Sequence, residues 1–65
     1  MTLIVNGERR QIEAATLAQV LGALDYGEAK VATALNGGFV PARARAATPV
    51  KEGDRIEILA PRQGG

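Results

Sequence analysis

In the stretch Met1-Thr2-Leu3-Ile4-Val5-Asn6-Gly7-Glu8-Arg9-Arg10-Gln11-Ile12-Glu13, two strand-like runs flank Asn6-Gly7. A two-residue type I′ turn needs positive φ at both central positions, which Asn and Gly tolerate best, so the stretch reads as a β-hairpin. With Val5 opposite Glu8, Leu3 faces Arg10 and Met1 faces Ile12, and Leu3, Val5 and Ile12 share a face. That apolar face needs a cover, and the next segment supplies one. Thr16 and Gln19 form a capping box, and Leu17, Val20, Leu21 and Leu24 follow at i, i+3, i+4 and i+7. The pattern predicts one amphipathic helix packed on the hairpin, ended by Gly27 at the left-handed C′ position. Gly22 inside it costs about 1 kcal/mol relative to alanine, which points to either close packing or plain tolerance at that position.

Beyond the helix, Val31, Thr33 and Leu35 alternate with Ala32 and Ala34 at the period of a strand, and Asn36-Gly37-Gly38 breaks the run. Pro41 cannot donate to a ladder, so Phe39-Val40-Pro41 reads as an edge strand or a loop. Residues 42–47 alternate alanine with Arg43 and Arg45, which fits either a loop or a short helical turn. Lys51-Glu52-Gly53-Asp54 is a turn, and Arg55-Ile56-Glu57-Ile58-Leu59 is an alternating strand with Ile56 and Ile58 inward. The order is strand, strand, helix, strand, irregular segment, strand. It predicts an α+β, ubiquitin-like β-grasp fold, a mixed sheet covered by one main helix, with the first and last strands as parallel neighbours. The domain is expected over residues 1–60, followed by an extended, flexible Gly-Gly tail over 61–65.

Sixty-five residues allow one small domain. The apolar fraction is 46%, but 12 of those residues are alanine. The larger side chains suffice for one sheet on one helix. Without cysteine there is no disulfide, thiolate metal site or thiol catalysis, and without histidine the commonest general base is missing. Eight basic and seven acidic residues leave a net charge of +1 with the signs interspersed, and aromatics are 3%. Neither an electrostatic footprint nor a stacking platform for nucleic acid is present. No apolar run approaches the roughly 18 residues of a membrane span, and no signal peptide is visible. A cytoplasmic protein that engages neither nucleic acid nor membrane is the expectation.

The chain ends Pro61-Arg62-Gln63-Gly64-Gly65. Fully extended, five residues reach about 17 Å, enough to enter another protein's active site. Eight glycines in 65 residues place a pair at the end by chance with a probability of about 1.5%, so the pair is a signal. Lacking Cβ, glycine lets a terminal carboxylate pass through a narrow channel and leaves its carbonyl open to attack from either side. An ionised carboxylate is a poor electrophile and must first become an acyl adenylate, after which a sulfur nucleophile can convert it to a thiocarboxylate. This chain has no phosphate-binding Gly-rich loop followed by lysine and a hydroxyl residue, so a partner has to supply the ATP chemistry. The plainer reading is a frayed chain end.

Nearly the whole chain resembles the ThiS family of small sulfur carriers of thiamine biosynthesis. The resemblance rests on Ile4-Val5-Asn6-Gly7, Thr16-Leu17, Val31-Ala32-Thr33-Ala34-Leu35-Asn36-Gly37 with Phe39-Val40-Pro41, Gly53-Asp54-Arg55-Ile56-Glu57-Ile58, and Ala60-Pro61-Arg62-Gln63-Gly64-Gly65. Glycine pairs also end ubiquitin and the molybdopterin synthase small subunit, but those chains are usually longer and lack the Asn-x-x-x-Val-Pro stretch of Asn36 to Pro41. The resemblance implies that a ThiF-like enzyme adenylates Gly65 with ATP. A cysteine desulfurase or rhodanese-like protein then furnishes sulfur, and the thiocarboxylate passes it to thiazole synthase. It implies a protein cosubstrate with no bound cofactor and no catalytic residue, in which Gly65 reacts and Gly64 gives access. One departure stands out: relatives often carry arginine directly after Val-Pro, whereas here Ala42 follows and arginine comes at Arg43, so that arginine's role is not carried over.

For Leu3, Val5, Leu17, Leu21, Leu35, Ile56 and Ile58, periodicity accounts for a core role. Ile4, Phe39 and Leu59 have two readings, the rim of the core or an exposed apolar patch suited to docking the activating enzyme. Among Arg43, Arg45 and Arg62, the last adjoins the tail and is the best candidate to meet an acidic partner surface. Asp54 and Glu57 do not form a paired-carboxylate site, and turn chemistry explains Asp54. Carriage of sulfur to molybdopterin or another thiolated metabolite, and a non-covalent β-grasp interaction module, are the alternatives.

Overall fold

The computed structural model describes residues 1–26 and 30–60. Five strands, β1 (Thr2–Val5), β2 (Glu8–Gln11), β3 (Ala32–Leu35), β4 (Gly38–Val40) and β5 (Arg55–Leu59), form one sheet in the order β2-β1-β5-β3-β4. β1 and β5 are parallel, and the other neighbours are antiparallel. The fold is the mixed-sheet, one-helix β-grasp expected from the element order. The hairpin register has Val5 opposite Glu8 and Leu3 opposite Arg10, with Asn6 and Gly7 at φ 51° and 84° as a type I′ turn requires. β4 is an edge strand, which is how a segment running into Pro41 can pair at all. Residues Ala42–Ala47 form a 3-10 helix.

Helix α1 (Leu17–Ala23) opens at Thr16, whose hydroxyl accepts from the Gln19 N–H at 3.3 Å. The reciprocal bond is displaced by one residue: the Gln19 side-chain carbonyl accepts from Ala15 N–H at 2.7 Å rather than from the cap's own amide. The helix ends earlier than Gly27. Asp25 takes the left-handed conformation at φ 67°, with Asp25 N–H donating to the Gly22 carbonyl and Tyr26 N–H to the Leu21 carbonyl. These two bonds define a Schellman motif with an acid at C′, and Gly27 lies outside the described residues. A Cβ added at Gly22 would meet nothing within 4 Å, so tolerance rather than close packing accounts for that glycine.

Leu3, Leu17, Val20 and Ile56 are fully or almost fully buried between helix and sheet, joined by Val5, Ile12, Leu21, Val40, Val50 and Ile58. Burying each such side chain contributes about 1.5–3 kcal/mol. Leu35, expected in the core, is only half-buried, because it ends β3 at the Asn36-Gly37 turn. A seven-residue helix is about 10 Å long, whereas five strands span about 19 Å. The edge strand β2 therefore lies beyond its cover and all four of its residues are exposed.

Thr33 is a buried hydroxyl with every bond made: it donates to the Val40 carbonyl at 2.7 Å and accepts from Arg45 Nε at 3.0 Å. Arg45 also donates from Nη2 to the Val31 carbonyl at 2.6 Å. Arg45 thus ties the 3-10 helix to β3 and is not simply solvated, while Arg43 on the same turn is exposed.

Candidate functional site

Alternation along each strand assigns the two faces of the sheet. Ile56 and Ile58 point to the helix, so Arg55, Glu57 and Leu59 point away, as do Ile4, Ala32, Ala34 and Phe39. Nothing among the described residues covers this open face. Phe39 and Leu59 are each 73% exposed on it. Phe39 pairs with Ala34, and Leu59 with Ala32. The two large side chains therefore flank β3, whose alanine methyl groups form a low floor between them. Exposed large apolar groups grouped in this way mark interaction surfaces more often than isolated ones do.

Ile4 lies elsewhere on the face. It is half-buried, pairs with Arg55, and sits between Arg55 and Arg9 across the sheet. Arg55 and Leu59 are four residues apart on β5, about 13 Å. The structure thus brings together two of the three candidate apolar residues and separates the third by the charged pair Arg55 and Glu57. A shallow depression beside that pair is lined by Asn36, Gly37, Arg55 and Glu57.

Leu59 is the last residue of β5, and one residue, Ala60, separates it from Pro61. The apolar patch is therefore continuous with the root of the segment that carries the terminal glycines. Arg62, Gly64 and Gly65 lie outside the described residues, and so does the whole segment 61–65.

The strand that carries this root is gripped at both ends by asparagine side chains, which sequence reasoning treated only as turn formers. Asn6 Oδ1 accepts from Ile58 N–H at 2.8 Å, and its Nδ2 donates to the Ile58 carbonyl at 3.2 Å. Asn36 Oδ1 accepts from Arg55 N–H at 2.9 Å, and its Nδ2 donates to Asp54 Oδ1 at 3.0 Å. Asp54 is only 4% exposed and also accepts from the Lys51 N–H at 2.8 Å and from Lys51 Nζ at 3.1 Å. Burial by itself pushes this carboxyl up, but the Asn36 and Lys51 hydrogen bonds and the Lys51 charge together hold it below its ordinary value. The only signal for these contacts is that an Asn-Gly turn precedes a strand break twice, and the partners lie 18 to 52 residues away.

Among the described residues no three acidic side chains gather as metal ligands. No helix of the described residues is long and apolar enough to cross a membrane.

The model of the ThiS family matches residues 3–65, through the terminal glycines. The crystal structure of a thiamine biosynthesis protein, ThiS, from Geobacter metallireducens superposes with a TM-score of 0.82 at 36% identity, covering 100% of both chains. The solution structure of a thiamine biosynthesis protein from the same organism gives 0.81 at 35% identity, covering 100% of this chain and 88% of that one. A thiazole synthase from Paramagnetospirillum magneticum is 39% identical over 66 residues, which take in 100% of this chain. The chain spans 20% of that relative's length.

Proposed function

Because the chain belongs to the ThiS family, whose model runs from residue 3 to residue 65, we propose that it is a sulfur carrier of thiamine biosynthesis and that Gly65 bears the cargo. The observation that carries this reading is that the family match extends through Gly64-Gly65 on a body whose last strand ends beside an exposed apolar patch. The Gly65 carboxylate attacks the α-phosphorus of ATP in a ThiF-like partner, releasing pyrophosphate. A persulfide carried by a cysteine desulfurase or a rhodanese-like protein then attacks the acyl adenylate and displaces AMP. A thiol cleaves the resulting acyl disulfide, releasing the thiocarboxylate and leaving a disulfide between that thiol and the donor cysteine. The thiocarboxylate gives its sulfur to thiazole synthase. Similarity to one-fifth of a protein named thiazole synthase supports that acceptor. The chain acts as a cosubstrate, and the ATP chemistry belongs to the partner.

Within this scheme Phe39 and Leu59 dock the adenylating enzyme, with Ala32 and Ala34 admitting a partner side chain between them. Gly64 gives the terminal carboxylate access to the channel, and Arg62 meets acidic groups at its mouth.

Intact-mass analysis tests the scheme after incubation with ATP, the adenylating enzyme and a sulfur donor. The expected result is the mass gain of one oxygen exchanged for sulfur, located in the C-terminal peptide and lost when Gly65 is deleted. Phe39→Asp combined with Leu59→Asp is expected to raise KM for the adenylating enzyme about tenfold or more, as loss of an anchoring apolar contact does. Thiocarboxylate formation from the Gly65-deleted chain would overturn Gly65 as the required cargo site, and activity undiminished when residues are added after Gly65 would overturn the carrier reading in favour of a non-covalent module.

A further inference from the structure

The end of β5 is held unevenly by its two neighbours. On the β3 side, pairing continues to Leu59, opposite Ala32. On the β1 side it stops sooner: Ile4 pairs with Arg55 and Val5 with Ile56, and the chain then turns at Asn6-Gly7. Asn6 N–H still donates to the Ile56 carbonyl at 2.9 Å. In a continued parallel ladder the next bonds would join Ile58 to the backbone of the following β1 residues. Here the Asn6 side-chain amide takes that place, accepting from Ile58 N–H and donating to the Ile58 carbonyl. One side chain reproduces a peptide unit at the point where the real strand has ended.

Resting on the carrier reading above, we infer that Asn6 is a positioning residue that fixes the root of the Gly-Gly tail. Closing the β1 side of Ile58 holds the last two residues of β5 in the sheet, and the reach to Gly65 is counted from there. Without that amide, Ile58 keeps its buried side chain but loses its partner on the β1 side, and Leu59, whose side chain is exposed, is held only by Ala32 and can leave the sheet. One released residue lengthens the reach by about 3.5 Å, the length that one deleted tail residue removes. A narrow active-site channel must place the terminal carbonyl near its nucleophile, where an error of about 1 Å already slows chemistry markedly. The fixed root makes the carrier a gauge of tail length.

Asn36 supplies the control. It makes the same kind of contact on the same strand, but at Arg55, the end remote from the tail. Asn6→Gly and Asn36→Gly both remove an amide and both keep a residue that accepts positive φ, so neither strains its turn. Each is made in the full chain, with the natural tail and with Gln63 deleted. Two measurements follow: backbone amide order parameters of Ile58 and Leu59, and the initial rate of thiocarboxylate formation.

In Asn6→Gly the Leu59 order parameter is expected to fall from about 0.85 to below about 0.6 while that of Ile58, anchored by its buried side chain, falls less, and Asn36→Gly leaves both near the parent value. Deleting Gln63 is expected to slow the parent and Asn36→Gly about tenfold or more, but Asn6→Gly no more than about threefold against its own full-length tail, since its root can yield the missing length. Unchanged order at Leu59 in Asn6→Gly overturns the inference, and so does a Gln63-deletion penalty equal to the parent's. Absence of thiocarboxylate in the parent itself would instead count against the carrier reading, and the order parameters would still decide the role of Asn6.

Discussion

The molecule contains the same dipeptide turn twice, and the two copies do different work. Asn6-Gly7 and Asn36-Gly37 have nearly the same backbone, φ 51° and 84° in one and 50° and 87° in the other. Both asparagines turn an amide onto the central strand β5. Asn6 reaches Ile58, near the end that leads to the glycines, and bonds only to a peptide. Asn36 reaches Arg55 and also Asp54, and so joins a network closed by a buried carboxylate. One end of β5 is thus locked by a charged group that water cannot reach. The other is closed by a neutral amide alone; both asparagines are exposed, so the buried Asp54 carboxylate is what separates the two ends. The end without the carboxylate is the one from which the tail departs.

Removing the carboxylate should break this comparison most strongly. Asp54→Ala removes a carboxylate that is 4% exposed and strips the Asn36 amide and the Lys51 N–H of their acceptor in part-buried hydrogen bonds. The Lys51 ammonium adds little, being 80% exposed. The expected loss is about 2–3 kcal/mol, a fall in Tm of roughly 10–20 °C. Asn6→Gly, which removes neutral hydrogen bonds and no charge, should cost about 1 kcal/mol. Equal losses in thermal unfolding would show that burial does not distinguish the two ends.

Acid should act on one turn and spare the other. The Asp54 carboxyl is held below its ordinary value in the folded chain. The unfolded chain therefore binds its proton first as pH falls, and folding stability rises with pH across that interval. The contribution is fully present above the unfolded value of about 3.9 and is lost as pH drops through the lower folded value. Denaturant unfolding from pH 7 down to pH 2 should show this slope, and Asp54→Asn should flatten it. Asn6→Gly should leave the slope unchanged, because its contact contains no titrating group. A slope that survives Asp54→Asn would move the effect to another carboxylate.

These differences also explain what the sequence could disclose. Periodicity 2 and 3.6 placed the first hairpin, the helix, β3 and β5, because Leu3, Val5, Val20, Ile56 and Ile58 each obey the spacing of their own element, while the segment of β4 stayed open between an edge strand and a loop. The β-grasp order followed from that alone. Contacts without a period were missed. The amide of Asn6 and the carbonyl of Ile58 are 52 positions apart, and no local rule connects them. Asp54 read as an ordinary turn acid because nothing nearby in sequence shows that it is buried. Arg45 looked like Arg43 until the 3-10 helix turned one inward and the other out. The helix end went astray because Asp25 adopts the left-handed conformation that a glycine two positions later seemed to be reserved for. Of the candidate site, Phe39 and Leu59 could be nominated as apolar residues on exposed alternations, but the distance of Ile4 from them required the parallel register of β1 on β5.

The smallest expected effect tests whether the two turns are equal in backbone, as the comparison assumes. Gly7 and Gly37 both have strongly positive φ, and a Cβ built on either meets nothing within 4 Å. Alanine at either position is therefore penalised only for the left-handed backbone, by about 1 kcal/mol, with no steric term to separate them. Gly7→Ala and Gly37→Ala should lower Tm by similar amounts, about 4–8 °C each. A clear excess for Gly37→Ala would mean that the Asp54 network resists relaxation of its turn, so that side-chain locking and backbone strain are coupled at that end. An excess for Gly7→Ala would place the coupling at the tail root and make Asn6 more dependent on its turn than two hydrogen bonds imply.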